Sequence, residues 1–379
     1  MKHRGLTRRD WMAFAARVAL ASSLPGMTTS ALALPPRTLV FPRDHGSHPE
    51  LQTEWWYITG HVRSKGKPFG FQVTFFRSRV ASTQGMQSAF AAKQLIFAHA
   101  AVTDIEGRVQ HHDQRIARAG FGIAEASETD CDVRLRDWNL KREGPVDQYR
   151  FATRIRSTRF EMDLTLQGTQ PLLLQGRAGL SRKGPDADQA SYYYSAPQLA
   201  VRGILTLNGV HHVIDDVVDD VVQPQVNRAW MDHEWSEALM HPEAVGWDWI
   251  GMNLFDGSAL TAFRLRRADG STLWAGGSMR APGGATQPRV FAQDEVTFTP
   301  TRHWSSPHSQ ARYPVQWRID TPVGSFQVLA LLDDQELDSS GSTGTVYWEG
   351  LSDLKSPSGE TLGRGYLEMT GYVAGIKLS

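Results

Sequence analysis

The 379-residue chain is 41% hydrophobic and 21% charged, the proportions of a globular protein with room for two domains or one large β assembly. Forty basic against forty acidic residues leave no net field to draw nucleic acid, and the single cysteine, Cys131, excludes an intrachain disulfide, zinc ribbons and thiol-pair redox chemistry. Twelve Trp, with 34 Gly and 19 Pro, favour short strands and turns over long helices.

Residues 1–33 read as an export signal: basic Lys2, Arg4, Arg8 and Arg9, an apolar run from Trp11 to Leu24, and a small-x-small cleavage site ending at Ala33. Arg8-Arg9 within Thr7-Arg8-Arg9-Asp10-Trp11-Met12 is similar to a twin-arginine signal; a Sec-type signal or an anchored N-terminal helix are the alternatives. The expected location is therefore periplasmic or secreted. Removing the segment leaves 35 basic and 39 acidic residues, a mildly acidic mature chain.

After Leu34-Pro35-Pro36, apolar residues alternate with period two, the signature of strands with one buried face. Phe69, Phe71, Val73 and Phe75 are the first such run; others fall at Tyr149–Ile155, Met162–Leu166, Leu199–Leu207, Phe263–Leu265, Phe326–Val328 and Tyr366–Met369. Asn208-Gly209, Asp256-Gly257 and Asp269-Gly270 supply hairpin turns. The mature chain is expected to be all-β. Two stretches depart from the pattern: Ser82–Gln94, polar and Ala-rich, reads as a short helix or a loop over a barrel mouth. Ile214–Val222 spaces its apolar residues as a helix would and sets four Asp opposite, as a solvated acidic face rather than a calcium loop.

Trp55-Trp56-Tyr57-Ile58-Thr59-Gly60 echoes Trp247-Asp248-Trp249-Ile250-Gly251, each followed by a strand. The echo is either coincidence or the mark of two related barrels, residues 34–185 and 186–379, divided at the polar Gly-Pro break in Ser181–Asp188.

Reactive side chains are densest in Trp230-Met231-Asp232-His233-Glu234-Trp235 and Gly246-Trp247-Asp248-Trp249. A carboxyl group held against indole is desolvated and stays protonated nearer neutral pH, and indole faces stabilise a neighbouring cation. Those are the requirements for protonating an alkene and adding water to the resulting carbocation. The plainer alternative makes these Trp core plugs and pairs the charges with arginines such as Arg228. Glu54, Trp55, Trp56 and Tyr57 form a second acid-aromatic cluster, preceded by Asp44, His45 and His48. Tyr193 and Tyr194 lie in a third, with phenols suited either to orienting a substrate or to packing.

Familiar motifs are missing. His233-Glu234 lacks the second His of a zincin, because position 237 is Glu. The pairs His45/His48, His111/His112 and His211/His212 have no fixed third ligand, so no metal is expected. There is no Gly-x-Ser-x-Gly elbow and no nucleotide-binding loop, and no cofactor is expected.

At these residues the chain resembles the AttH-like and carotenoid 1,2-hydratase family of secreted proteins. The resemblance is carried by His45-Gly46-Ser47-His48 through Glu54–Gly60, Phe71–Arg77, Tyr192–Ser195, Trp230–Trp235, Gly246–Trp249, Tyr347-Trp348-Glu349-Gly350 and Gly365–Tyr372. It implies two lipocalin-like barrels in tandem and a site that accepts a lipophilic molecule. In the hydratase branch, water adds across an isoprenoid double bond without a redox cofactor. Carried over, this makes Asp232 or Asp248 the proton donor, lets His233 orient or relay, and lines the cation site with Trp235, Trp247 and Trp249. Glu54, Trp55, Trp56, Tyr57, Tyr193 and Tyr194 are the remaining candidate contacts to the substrate. A non-catalytic periplasmic lipid carrier, associated with envelope lipid or transport machinery, is the rival reading, and a hydrolase a third.

Overall fold

The computed structural model describes residues 33–214, 217–218, 221–222, 226–238, 240–284 and 287–376. The export segment up to residue 32 and the four Asp of the acidic stretch lie outside the described residues. The first strands are β1 (Thr53–Ser64), β2 (Lys67–Arg79), β3 (Gln94–Asp104), β4 (Val109–Arg118), β5 (Ala124–Ala126), β6 (Asp132–Leu135) and β7 (Trp138–Glu143). They continue as β8 (Arg150–Arg156), β9 (Phe160–Gln167), β10 (Leu173–Leu174), β11 (Leu180–Arg182), β12 (Ala190–Leu207), β13 (Val210–Ile214), β14 (Val217–Val218), β15 (Val221–Val222) and β16 (Arg228–Ala238). Then come β17 (Gly246–Leu254), β18 (Ala259–Arg266), β19 (Thr272–Arg280), β20 (Arg289–Phe291), β21 (Thr297–Ser305) and β22 (Arg312–Thr321). The last are β23 (Gly324–Ala330), β24 (Glu336–Ser339), β25 (Thr345–Lys355) and β26 (Thr361–Met369).

These strands build two lipocalin-like barrels in tandem. The first is a 14-stranded, nearly closed sheet in the order β4-β3-β2-β1-β16-β12-β9-β8-β7-β6-β5, with β10, β11 and β13 also paired to β12. The second is a 10-stranded sheet, β20-β19-β18-β17-β26-β25-β23-β22-β21, with β24 on β25. Each encloses its own apolar core, one around Trp56, Phe71, Phe75, Trp138 and Met231, the other around Ile250, Trp317, Trp348 and Leu367.

The boundary lies elsewhere than at 185/186. β16 is the strand that closes the first sheet, pairing Arg228–Ser236 with Thr53–His61 of β1 and also lying against β12. The first barrel therefore runs to Ala238, the second opens at Gly246, and the Gly-Pro break is only the loop between β11 and β12. A turn-forming sequence marks a loop without saying which sheet the chain re-enters.

Asn208 and Gly209 both have positive φ, 50° and 79°, the type I′ geometry that joins β12 to β13. The helical reading of Ile214–Val222 is overturned: Val217–Val218 pairs with Val221–Val222 as a minute antiparallel sheet, as β-branched residues favour. A 3-10 turn, Ala81–Thr83, leads into the Ser82–Gln94 stretch, which is otherwise irregular up to the start of β3 at Gln94.

Outer strands such as β9 alternate buried and exposed residues, whereas β1, β2, β16, β17, β18, β25 and β26 are buried on most of their residues, with no such alternation. Their outward faces are covered because the barrels pack against each other through them, and the site lies in this contact.

Candidate active site

Successive residues of a strand project to opposite faces, so each signature cluster is divided in two. On β16, Met231 and His233 point into the first barrel, while Trp230, Asp232 and Glu234 point toward the second. On β1, Trp56 and Ile58 are core residues; Trp55 and Tyr57 face outward. On β17, Ile250 and Met252 enter the second core, and Trp247 and Trp249 face the first barrel.

The outward-facing residues enclose a cavity of about 610 Å³ between the barrels, the size of a small-molecule site. Trp55, Tyr57, Phe76, Phe97, Tyr193 and Asp232 line it from the first barrel. Trp247, Trp249, Phe263, Tyr347, Glu349 and Glu368 line it from the second. Tyr57 and Trp249 meet edge to face across the seam, ring centroids 5.4 Å apart.

Asp232 is buried and accepts hydrogen bonds from Tyr193 Oη (2.7 Å), Ser195 Oγ (2.6 Å) and Trp230 Nε1 (2.7 Å). Burial raises its carboxyl, the three donors oppose that, and the result is pushed up to about 7. Glu234 is paired with Lys183 Nζ at 2.9 Å and accepts from Ser191 Oγ at 2.5 Å. The Lys183 ammonium also sits 4.5 Å from the ring centroids of both Tyr193 and Phe263.

The second barrel contributes two carboxyls directly opposite one another, Glu349 on β25 and Glu368 on β26. Burial raises both, Glu368 to about 7, and Glu368 pushes Glu349 further upward. The Tyr57 and Tyr347 phenols lie near Glu349 and bear on its charge. Even so, neither the Tyr57 hydroxyl nor either Glu349 oxygen has a protein partner at hydrogen-bonding geometry.

A separate buried network lies inside the mouth of the first barrel. Glu54 Oε1 receives His48 Nδ1 (2.7 Å) and His233 Nε2 (2.9 Å); its Oε2 receives Arg77 Nε (2.8 Å) and the His48 backbone N–H (2.8 Å). Burial alone would raise the Glu54 carboxyl, but the hydrogen bonds from His233 and His48 hold it far below the ordinary range. His48 continues through Nε2 to Asp44 (3.1 Å), which Arg37 meets at 3.0 Å. His48 stacks on Trp235 at 4.0 Å and His233 on Trp56 at 4.8 Å. His48, Glu54 and His233 are close enough to surround one ion. Their imidazole N–H groups donate to the Glu54 carboxylate, which Arg77 also engages, so the set fits a hydrogen-bonded charge network better than a metal centre.

Asp232, Trp247, Trp249, Trp55, Tyr57, Tyr193 and, at the edge, Glu54 thus line the cavity. His233, Trp235, Trp56 and Tyr194 do not, because the pleat turns them into the first barrel, where Tyr194 Oη bonds His45 Nδ1 at 2.6 Å. Asp248 is likewise turned away, into the second barrel, held by Arg264 Nε (2.7 Å), Arg266 Nε (3.5 Å) and Tyr372 Oη (2.8 Å). The expectation that Asp232, His233 and Asp248 share one site is therefore corrected by strand geometry. Glu349, Glu368, Lys183 and Tyr347 were not singled out from sequence as site residues. The alternation of Tyr347 with Glu349 on one strand face was the available signal.

The family model described as AttH-like matches residues 32–372. A crystal structure of an AttH protein from Nitrosomonas europaea is 44% identical and superposes with a TM-score of 0.80, covering 90% of this chain and 99% of that one. Kievitone hydratase from Fusarium solani subsp. phaseoli is 23% identical over 242 residues, 60% of this chain. The chain spans 61% of the length of that relative. The crystal structure of kievitone hydratase from Nectria haematococca shares the fold, with a TM-score of 0.66 at 17% identity over 91% of this chain and 94% of that one. With a family match over nearly all of the described residues and both barrels in common with these structures, the chain belongs to the AttH-like family.

Proposed function

We propose that the protein is a cofactor-independent hydratase that adds water across an isoprenoid-like C=C bond of a lipophilic substrate held between the barrels. The observation that carries this reading is a set of buried carboxyls with raised proton affinity, Asp232, Glu349 and Glu368, in an aromatic cavity. A neutral carboxyl delivers its proton to one alkene carbon, and the π electron pair forms the new C–H bond. The positive charge left on the more substituted carbon faces indole and phenol rings, which stabilise it. Water oxygen then bonds to that carbon, and its surplus proton passes to a carboxylate. The relative named kievitone hydratase supports the class of reaction, and the substrate stays defined by its chemistry alone.

Citronellol, with one trisubstituted alkene and a hydroxyl, and prenyl-substituted phenols are suitable probes, with product followed by mass spectrometry. Asp232→Asn and Glu349→Gln variants that keep the wild-type circular dichroism are expected to lose hydration by about 100-fold or more. Full activity in both would overturn the reading.

The aromatic walls also suit a periplasmic carrier. Native mass spectrometry separates the two: a co-purified lipid that persists unchanged, with no turnover of the probes, favours the carrier. Export through the signal at residues 1–33 is part of the proposal, and N-terminal sequencing of protein from the periplasmic fraction tests it by the presence or loss of the segment ending near Ala33.

A further inference from the structure

Two carboxyl environments in the cavity differ in a way that the hydratase reading leaves open. Asp232 is surrounded by donors: a phenol, a hydroxyl and an indole N–H all point at its oxygens, within 2.6 to 2.7 Å. The Trp230 N–H cannot turn its proton around, so this arrangement favours the anion. Glu349 has the opposite surroundings. It is buried, has the Tyr57 and Tyr347 phenols nearby but neither at ordinary hydrogen-bond geometry, and sits directly across the strand pair from Glu368. Side chains so paired have Cβ atoms about 5 Å apart, and two buried carboxylates at that separation retain a proton. Of the remaining carboxyls of the wall, Glu234 is paired with Lys183 and Glu54, at the edge, with Arg77.

Resting on the hydratase reading, we propose that Glu349 is the proton donor to the alkene, with Glu368 as the positioning residue that keeps it protonated, and that Asp232 is the base that takes the proton of the added water. Asp232, one of the two donors expected from sequence, thus takes the opposite role. The assignment balances: the Glu349 O–H breaks as the C–H forms, water oxygen bonds to the cationic carbon, and the proton it loses goes to Asp232. The Tyr57 hydroxyl lies between the two acids, opposite Asp232 in the β1–β16 register and near Glu349, and it too has no protein partner. It is placed to return the proton from Asp232 to Glu349 and reset the site for the next turnover. The raised proton affinity of Glu349 agrees with a group kept neutral, and that of Asp232 suits a base working near neutral pH.

The test is incubation of citronellol and a prenyl-substituted phenol in D₂O with wild type, Glu349→Gln and Asp232→Asn, reading hydration and deuterium entering recovered alkene separately. In wild type both occur. Glu349→Gln should abolish both, because no carbocation forms. Asp232→Asn should lose hydration by about 100-fold or more while deuterium still enters recovered alkene, since protonation by Glu349 is reversible. The reverse pattern, with exchange surviving in Glu349→Gln and absent in Asp232→Asn, overturns the assignment. If wild type neither hydrates nor exchanges any probe, the hydratase reading has failed, and the infrared carbonyl stretch of a neutral carboxyl then decides the assignment alone. That band should persist in wild type and in Asp232→Asn at a pH above that at which Asp232 and Glu368 lose their protons, and be absent there in Glu349→Gln. Its loss in Asp232→Asn and persistence in Glu349→Gln would refute it.

Discussion

Asp248→Asn separates a structural carboxylate from a catalytic one. Asp248 is fully buried, with Arg264 (2.7 Å) and Arg266 (3.5 Å) at Oδ2 and Tyr372 Oη (2.8 Å) at Oδ1. Both guanidiniums are themselves buried, stacked over Trp317 at 5.0 Å and Tyr372 at 3.9 Å respectively. Neutralising Asp248 leaves two cations side by side in low dielectric with one carboxylate fewer, and breaking a buried pair from one side costs about 3–5 kcal/mol. Asn keeps one acceptor oxygen, which places the expected loss at the lower end, about 3 kcal/mol, or a fall in Tm of roughly 5–10 °C. Thermal unfolding followed by circular dichroism reads the cost, and citronellol hydration per folded molecule, measured well below the midpoint, should match wild type. An Asp248→Asn protein with unchanged Tm and abolished turnover would refute the reasoning and return Asp248 to the site.

Asp232 is protonated up to about pH 7 in the folded protein but only near 3.8 when unfolded, so its contribution to stability is full below 3.8 and lost as pH rises through about 7. Wild type should therefore gain stability relative to Asp232→Asn on going from about pH 8 to pH 4, while hydration, which uses the Asp232 carboxylate, rises through about pH 7. Glu54→Gln removes the anion shared by Arg77, His48 and His233 and should cost about 3–5 kcal/mol in a denaturant titration; an unchanged midpoint would show that the network is not ionic. Gly251→Ala puts a methyl group where the Trp249 indole lies, 2.3 Å from its ring, and so drives the indole into the cavity. It should lower the affinity for probe alkenes and cost about 1–3 kcal/mol of stability, and a variant that binds as wild type does would show that the indole has room to move elsewhere.

The strands were legible because period two is written plainly in runs such as Phe69–Phe75 and Met162–Leu166, and part of the cavity wall because Asp232 and Glu54 stand among Trp residues. What the sequence could not supply was the face. Along Arg228–Ala238 nearly every residue is buried, since one side meets a barrel core and the other a second barrel, and the polar-apolar contrast that would tell them apart is lost. Asp232 and His233 therefore read as partners although they point in opposite directions. Glu349 and Glu368 stayed hidden because they are distant in sequence from the Trp clusters and meet them only through the packing of the two barrels. The domain boundary was missed because the first sheet reserves its closing strand, β16, until after a loop that looks like a linker.

The echo between Trp55-Trp56-Tyr57 and Trp247-Asp248-Trp249 has a consequence for how acid and base can coexist. Each motif opens its sheet and lies beside the closing strand, so Tyr57 stands opposite Asp232 as Trp249 stands opposite Glu368. On the next strand, Ser195 faces Asp232 where Glu349 faces Glu368. A homodimer assembled on this face would have to place identical side chains on both walls. With both halves on one polypeptide, the same position can be a hydroxyl that sustains an anion on one wall and a carboxyl that forbids it on the other, a division of labour that two equal subunits cannot reach.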